Sequence, residues 1–248
     1  MTDKIVRPPL ISLAYALLVL ARLLRLPLRL VPKRAVVRIL SGRLAGARWV
    51  VGAGTHGCWL GTYEAEAQAS FAAHIKRNDV VYDIGANVGF FTLLAARLVG
   101  EGGHVYAFEP LPRNLDFLRR HVALNKLTNV TILPVAVAAT AGVLKFAEGA
   151  NPSMGGLSAT GALEVPTVAL DELQLRPPRF MKIDVEGAES DVLAGATKTL
   201  RTHHPTIHLS THGWEQNERC TATLRAEGYD VHLERDGTED GNYVLLCN

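Results

Sequence analysis

From Asn78 onward, short runs of β-branched residues alternate with stretches of helical periodicity. The first three predicted strands are VVYDI (80–84), HVYAF (104–108) and VTILPVAV (130–137). The segments between them, FTLLAARLVG and LPRNLDFLRRHVALN, carry apolar residues at helical spacing. Such alternation is typical of parallel strands that are covered by helices.

The alternation is interrupted once and then resumes. The interruption consists of VLKF (143–146), a Gly/Ser-rich loop (151–161) and EVPTVAL (164–170). After it we predict strands at 179–185 and 205–212, helices over 188–203 and 215–228, and a C-terminal hairpin over 229–248. The pattern therefore predicts an α/β fold with one doubly wound, mostly parallel sheet that ends in an antiparallel β-hairpin.

The N-terminal part of the chain is much more basic than the rest. Residues 1–50 contain ten Lys/Arg and one acid, whereas the remainder carries 16 basic and 23 acidic residues. The apolar run Leu10–Ala21 is shorter than the ~20 residues that span a bilayer, and no small-residue cleavage site follows it. We predict a basic amphipathic segment (1–40) that contacts the membrane surface through residues 10–34, with packing on the body or on a partner subunit as the alternative.

Composition narrows the class of protein further. An apolar content of 48% excludes a disordered chain, and the basic segment lacks the interleaved aromatic residues expected of a nucleic-acid partner. The three cysteines, Cys58, Cys220 and Cys247, form no CxxC motif and indicate reduced thiols. We expect a cytoplasmic protein, either free or peripheral to the membrane, and leave its oligomeric state open.

The turn after the first predicted strand has the residues of a ligand-binding site. Asp83, Gly85, Asn87 and Gly89 lie where open α/β sheets bind ligands, but the turn lacks the GxGxxG of dinucleotide sites. The acid would repel a pyrophosphate, so a nicotinamide oxidoreductase is disfavoured and a cationic or zwitterionic ligand is expected. Glu109 closes the second strand, where a carboxylate can accept both ribose hydroxyls. These features suit S-adenosylmethionine, a sulfonium with an amino-acid tail.

Five stretches carry a resemblance to a known family. They are WLGTYE (59–64), DVVYDIGANVGFFTLLAA (79–96), VYAFEPLPRN (105–114), LDEL (170–173) and MKIDVEGAE (181–189). Between about Leu40 and His212 the chain resembles the FkbM-type S-adenosylmethionine-dependent methyltransferases. The resemblance implies a class I (Rossmann-like) methyltransferase domain over 41–248 and methyl transfer to a hydroxyl of a sugar, glycolipid or natural product. It also implies that Asp83, Gly85, Asn87 and Gly89 line the methionine end of the cofactor, that Glu109 holds the ribose and that Asn114 lies near the adenosine.

The acceptor side is predicted at the end of the fourth strand. Lys182, Asp184 and Glu186 alternate there and share one face. Either Asp184 and Glu186 orient the acceptor hydroxyl and receive its proton, or they hold a divalent cation that acidifies it. A structural alternative is a Lys–Asp ion pair with Glu186 capping the next helix. Because two carboxylates are few for a metal site, we expect no metal.

The fifth strand supplies the predicted general base. The resemblance implies a Glu near its end, where this chain has Ser210, so His212 is the expected proton acceptor beside Asp184 and Glu186. Tyr63 and Glu64 either cover the methionine end of the cofactor or begin a helix, and the 151–161 loop is either a lid or an ordinary surface loop. The functional alternative from another class is a membrane-peripheral binding protein with a vestigial cofactor site.

Overall fold

In the computed structural model, which describes residues 30–147, 156–157, 163–237 and 241–248, the predicted alternation of strands and helices is present. The strands are β1 (Val36–Arg38), β2 (Arg48–Val50), β3 (Val80–Ile84), β4 (His104–Phe108), β5 (Val130–Leu133), β6 (Ala136–Val137), β7 (Gly142–Ala147), β8 (Gly156–Leu157), β9 (Leu163–Val168), β10 (Phe180–Ile183), β11 (Thr206–His212), β12 (Val231–Arg235) and β13 (Asn242–Cys247). The helices are α1 (His56–Leu60), α2 (Ala65–His74), α3 (Phe90–Val99), α4 (Pro112–Leu124), α5 (Glu189–Ala194), α6 (Thr197–His203) and α7 (Trp214–Ala226).

The main sheet has seven strands in the order β12-β13-β11-β10-β3-β4-β5. Strands β11, β10, β3, β4 and β5 are parallel, and the hairpin β12–β13 adds antiparallel to β11. This confirms the predicted fold class. The chain runs outward in opposite directions from β3 and β10, so their carboxyl ends form the switch point at which such sheets bind ligands.

Two predicted elements are divided. The strand predicted over 130–137 breaks into β5 and β6, since Pro134 has no N–H with which to continue the ladder. The helix predicted over 188–203 breaks into α5 and α6 between Ala194 and Thr197. A Cβ at Gly195 would lie 2.1 Å from the carbonyl oxygen of Ala138, so a glycine is required where this break packs against the chain after β6.

The interrupted region forms a second sheet, which the prediction of one sheet did not include. Its strand order is β6-β9-β7-β8, with β6 parallel to β9 and β7 antiparallel to β9. The isolated apolar runs in 143–170 are therefore paired with one another rather than with the main sheet. This small sheet begins directly after β5 and adjoins the carboxyl end of the main sheet through β6.

The core lies on both faces of the main sheet. Strand β3 is buried at all five positions, as expected of a strand covered by helices on both sides. One face packs around Phe71, Phe91 and Phe180. The other packs around Ile183 and Leu209. Helix α3 is almost entirely buried and packs on the face around Phe71 and Phe180, which fixes the position of the turn that precedes it.

A buried histidine helps to join the N-terminal hairpin to this core. Strands β1 and β2 pair antiparallel, so the predicted boundary after residue 40 falls inside the hairpin. Trp49 stacks on His121, whose Nε2 accepts the N–H of Val50 and whose Nδ1 donates to the carbonyl of Val88. Burial lowers the pKa of His121 to about 4, so it is neutral and connects β2, α4 and the turn after β3.

Several predicted features lie outside the described residues. These are most of the membrane-contact segment (10–34), most of the 151–161 loop and the tip of the C-terminal hairpin (238–240). Among the described helices, none has the length and apolar character needed to cross a membrane. Cys58, Cys220 and Cys247 are free thiols, as predicted.

Candidate active site

The turn after β3 adopts a backbone that favours glycine. Gly85 has φ 76°, Asn87 φ 50° and Gly89 φ 93°, all in the left-handed region. A Cβ at Gly85 would lie 1.9 Å from the carbonyl oxygen of Asp184. The carboxyl ends of β3 and β10 therefore approach each other more closely than any residue with a side chain would allow.

Glu109 is buried at the end of β4 and fastens this turn. Its Oε2 accepts the N–H of Asn87 at 2.8 Å, and its Oε1 accepts the N–H of Leu111 at 2.9 Å and Nδ2 of Asn114 at 3.3 Å. Burial raises the pKa of this carboxyl, and the hydrogen bonds oppose that effect. Three donors leave about one of the four acceptor positions of a carboxylate for a ligand hydroxyl.

A first cavity opens beside Glu109. Glu109 and Asn114 supply polar side chains at one end of it, Asp184 and Glu186 also line it, and the turn residues Gly85 and Asn87 border it. Its apolar walls are Phe108, Leu111, Val135, Val137 and Leu144. A flat apolar slot with a carboxylate at one edge suits an adenosine group, in which the base is apolar on its faces and the ribose carries hydroxyls. The small sheet supplies part of this wall, which the sequence analysis did not anticipate.

A second cavity lies on the other side of the same turn. Its lining comprises the 52–55 segment with Cys58, Tyr63, the turn over 85–88, Phe90, Phe91, Lys182 and Asp184. Gly85, Asn87 and Asp184 border both cavities. The two cavities therefore meet at the turn, beside Asp184.

Asp83 lies beneath these cavities rather than in their walls. Its side chain is 1% exposed, it accepts a hydrogen bond from Oγ1 of Thr92 at 2.5 Å, and its Oδ1 is 3.4 Å from Nζ of Lys182. Lys182 also donates to the carbonyl of Gly85 at 2.8 Å and lies 3.5 Å from Oδ2 of Asp184. Burial opposes the charge on Lys182, but Asp184 and Asp83 raise its pKa, so the lysine is protonated. The expected Lys–Asp ion pair is present, with Asp83 as a second partner.

Asp184, Glu186 and His212 come together, as their positions on β10 and β11 predicted. Nε2 of His212 is 3.4 Å from Oε2 of Glu186 and 3.8 Å from Oδ1 of Asp184. One donor atom from each of the three lies within 4.8 Å of the others, a spacing also compatible with a shared divalent cation. Asp184 and Glu186 border the first cavity and Asp184 also borders the second, so the cluster touches both cavities through Asp184.

The charges around His212 set its protonation. Burial lowers the pKa of His212, but the hydrogen bond with Glu189 and the charges of Glu186 and Asp184 outweigh burial, and the net effect raises it. Burial also raises the pKa of the Glu186 carboxyl, which His212 opposes and Asp184 reinforces. The imidazole therefore binds a proton more readily than an isolated histidine.

The sequence analysis did not identify Glu189, and it left open whether Tyr63 and Glu64 belong to the site or begin a helix. Glu189 is fully buried, and its Oε1 is 2.7 Å from Nδ1 of His212. It lies inside the MKIDVEGAE stretch, but an acid in the first turn of a helix resembles an ordinary charge at a helix N-terminus. Tyr63 lines the second cavity and packs on Phe90, while Glu64 immediately precedes α2.

The sequence matches one family model. The Methyltransferase FkbM domain model matches residues 83–231, which begin at the end of β3 and include the turn after it, Glu109 and the whole of the Asp184–His212 cluster.

Two curated relatives are methyltransferases. The hexuronic acid methyltransferase AglP of Haloferax volcanii is 27% identical over 135 residues, which cover 51% of this chain and 54% of that protein. The methyltransferase sdnD of Sordaria araneosa is 27% identical over 210 residues, which cover 66% of this chain and 78% of that protein. The chain thus spans about half the length of AglP.

Solved structures share the fold. A methyltransferase FkbM from Methylobacillus flagellatus KT superposes with a TM-score of 0.52 at 18% identity, covering 68% of this chain and 43% of that one. Fibrillarin from Aeropyrum pernix, solved with natively bound S-adenosyl-L-methionine, superposes with a TM-score of 0.50 at 14% identity, covering 73% of each chain. At these identities the likeness concerns the fold.

Proposed function

Because the chain belongs to the FkbM methyltransferase family, we propose that it transfers a methyl group to a hydroxyl oxygen of a sugar, glycolipid or small natural product. Its cofactor is S-adenosylmethionine. The observation that carries the proposal is the convergence of Asp184, Glu186 and His212 beside the first cavity, where Asp184 also borders the second. A hydroxyl placed there would meet groups that can both orient it and take its proton.

The first cavity fits the cofactor. Glu109 would accept the ribose hydroxyls, and Asn114, whose contact with Glu109 is the longest of the three, would turn toward the adenosine. The backbone at Gly85 and Asn87 would pass close to the methionine end, at the meeting point of the cavities. When bound, S-adenosylmethionine supplies a methyl group already activated on a sulfonium, so the protein has mainly to position the acceptor and remove one proton.

Asp83 and Gly89 would act on the cofactor indirectly. Asp83 holds the ammonium of Lys182, which in turn binds the carbonyl of Gly85 and faces Asp184. A Cβ at Gly89 would lie 2.5 Å from Cδ1 of Leu118, so this glycine allows α3 and α4 to pack closely beneath the turn. Both residues would thus fix the turn that contacts the methionine end.

The proton of the acceptor hydroxyl would pass to Nε2 of His212. This atom faces the half-buried Asp184 and the exposed Glu186 but lies 3.8 and 3.4 Å from their oxygens, beyond normal hydrogen-bond distance, so neither carboxylate occupies the position that a hydroxyl would take. Asp184 and Glu186 would accept hydrogen bonds from the acceptor and stabilise the imidazolium that forms. A positioned general base of this kind contributes roughly 10²- to 10⁴-fold to a rate.

A sugar as the class of acceptor is supported by one of the relatives, whose name does not say which oxygen of the sugar is methylated. That relative is named for methylating hexuronic acid, and the second cavity of this chain offers an aromatic and small-residue surface with few charges. The test is incubation with isotope-labelled S-adenosylmethionine and separate glycan, lipid and small-molecule fractions. Label in one fraction as a methyl ether supports the proposal, and a nucleic-acid acceptor is not expected.

A divalent cation is the second candidate for activating the hydroxyl. It is favoured by the three donor atoms within 4.8 Å, since the fold adds an imidazole to the two carboxylates that the sequence placed together. Against it stands the hydroxyl-accessible Nε2 of His212, which makes a metal unnecessary. We therefore keep the expectation of metal-independent transfer, which chelation tests directly.

A further inference from the structure

Glu189 is a fully buried carboxylate bound to the proposed base. Its side chain is 0% exposed, and its Oε1 contacts Nδ1 of His212 at 2.7 Å and accepts the N–H of Gly187 at 2.9 Å. Among the described residues, its Oε2 has no hydrogen-bond partner. Burying a carboxylate costs free energy unless hydrogen bonds compensate for the lost hydration. Glu189 is therefore not an ordinary surface charge at a helix N-terminus, and its contact with the imidazole needs a specific explanation.

We propose that Glu189 is the positioning residue that holds His212 in the tautomer with its proton on Nδ1, which leaves Nε2 as the acceptor for the substrate proton. A carboxylate has no proton to donate, so Nδ1 of the neutral imidazole must carry the hydrogen of this bond. The other ring nitrogen is then unprotonated and faces Asp184 and Glu186. This inference rests on the proposed role of His212 and adds a residue to it.

The backbone around Glu189 is built to keep that bond in place. Glu186 and Gly187 are consecutive left-handed residues, with φ 57° and φ 102°, so the chain turns sharply after β10. The N–H of Gly187 binds Glu189, and its carbonyl accepts Nε2 of Gln216 from α7. A left-handed glutamate is a strained backbone conformation, which the surrounding contacts offset. The same turn that presents Glu186 to the imidazole therefore fixes the carboxylate behind it.

Among the described residues, only Glu189 lies within normal hydrogen-bond distance of the His212 ring. The distances from Nε2 to the oxygens of Glu186 and Asp184, 3.4 and 3.8 Å, are too long for normal hydrogen bonds, whereas the Glu189 contact is short. Removing Glu189 would leave the ring free to rotate toward the carboxylates of Asp184 and Glu186. Nδ1 of His212 would then have no fixed hydrogen-bond acceptor, and the ring would no longer be held in one tautomer.

The groups that face His212 favour its protonated form. Asp184 and Glu186 face it from the turn after β10 and Glu189 from α5, while Lys182 lies on the far side of Asp184 and Cys220 of α7 interacts with Glu189. Glu189 contributes the short hydrogen bond, and its side chain is shielded from solvent. Loss of its charge should therefore lower the affinity of His212 for a proton more than loss of a more exposed acid.

The test is ¹⁵N NMR spectroscopy of the 248-residue chain labelled at its histidines. Spectra are recorded across a range of pH in the presence of S-adenosylhomocysteine and EDTA. The signals of His212 are assigned among the nine histidines with His212→Asn. We expect Nδ1 protonated and Nε2 unprotonated in the neutral ring. Glu189→Gln keeps an acceptor oxygen but removes the charge, so the midpoint of the His212 titration should fall and kcat should drop about 10- to 100-fold with the cofactor Kd unchanged.

Matched variants separate positioning from folding. Asp191→Asn removes an exposed acid from the same helix and should change neither the titration nor kcat. If Glu189→Gln does not fold, Glu189→Asp retains the charge at a greater distance and should shift the titration in the same direction by less. A wild-type ring protonated on Nε2, or a titration unmoved in a folded Glu189→Gln, would overturn the proposal. This readout needs no acceptor, so a chain with the expected tautomer but no methyl transfer would contradict the proposed function alone.

Discussion

Gly85 and the carbonyl of Asp184 meet so closely that a Cβ on the glycine would stand 1.9 Å from that oxygen. This contact joins the carboxyl ends of β3 and β10, the two strands from which the sheet runs outward in opposite directions. It also brings Asp184 to the border of both cavities. The cofactor side and the acceptor side are thus connected by a backbone contact that only glycine permits.

Gly85→Ala should therefore damage both stability and cofactor binding. Positive φ and the overlap with Asp184 together should cost roughly 2 to 4 kcal/mol of unfolding free energy. Thermal unfolding and calorimetric titration with S-adenosylhomocysteine measure the two effects. Gly142→Ala is the control, because the nearest atom to its Cβ would be 3.6 Å away. Wild-type behaviour of Gly85→Ala would show that the strand ends are not held as described.

Glu109→Ala should weaken cofactor binding by about 1.5 to 3 kcal/mol, the worth of a charge-assisted hydrogen bond to a ribose hydroxyl. The variant should also lower the melting temperature, since Glu109 binds the N–H groups of Asn87 and Leu111. Calorimetry at a temperature where both proteins are folded isolates the binding effect. Glu101→Ala, an exposed acid just before β4, is the matched control. Unchanged affinity in Glu109→Ala would remove this residue from the cofactor site.

Activity should rise with pH through the titration of His212. Only the neutral imidazole accepts a proton, and the Glu189 hydrogen bond and nearby acids outweigh burial and raise its pKa above the ordinary value of about 6.5. The acid limb of kcat/KM should therefore have its midpoint above that value. In His212→Asn this limb should disappear along with most of the activity. An unchanged pH profile in this variant would assign the proton to another group.

Stability should follow the opposite trend. A histidine whose pKa is raised by folding stabilises the protein fully below the unfolded value, and that contribution is lost as pH rises through the folded value. The melting temperature of the wild type relative to His212→Asn should thus be highest on the acid side, where activity is lowest. Parallel melting curves of the two proteins across this range would contradict the raised pKa.

Chelation should leave turnover intact. With His212 as the base, EDTA should not change kcat, whereas Asp184→Asn and Glu186→Gln should lower it by loss of acceptor orientation. Activity that disappears with EDTA and returns with Mg²⁺ or Mn²⁺ would place a cation among Asp184, Glu186 and His212 instead. That result would change the assignment of the proton acceptor and leave methyl transfer in place.

Deletion of residues 1–29 should reduce binding to anionic liposomes without affecting cofactor binding. The deletion stops there because the backbone of Lys33 accepts the N–H of Gly52 beside the second cavity. Each basic residue near an anionic surface contributes about 1 kcal/mol of attraction. Liposome sedimentation and calorimetry with S-adenosylhomocysteine measure the two properties. Loss of the folded state on deletion would instead place the segment in the body of the protein.

The sequence predicted the main sheet and the grouping of Asp184, Glu186 and His212, because these residues stand at the carboxyl ends of two neighbouring parallel strands. The alternation by which Asp184 and Glu186 were expected to share one face does not continue past β10, since Glu186 lies in a left-handed turn. The sequence could not predict that the side chain of Asp83 points beneath the cavities to Thr92 and Lys182. It shows that Asp83 lies near the end of a strand, but not which face of the sheet its side chain occupies. The pairing of Glu189 with His212 joins residues 23 positions apart through a left-handed turn. No local pattern encodes such a contact. Pro134, by contrast, was a visible signal for the end of β5.

The most direct measurement is the chemical form in which labelled methyl leaves S-adenosylmethionine. The wild type should place the label on one glycan, lipid or small-molecule pool as a methyl ether that survives mild base, and His212→Asn should place little or none there. The hydroxyl acceptor and the role of His212 would both be supported by that pair of results. Label recovered as a base-labile methyl ester or on nitrogen, or equal labelling by His212→Asn, would contradict the account.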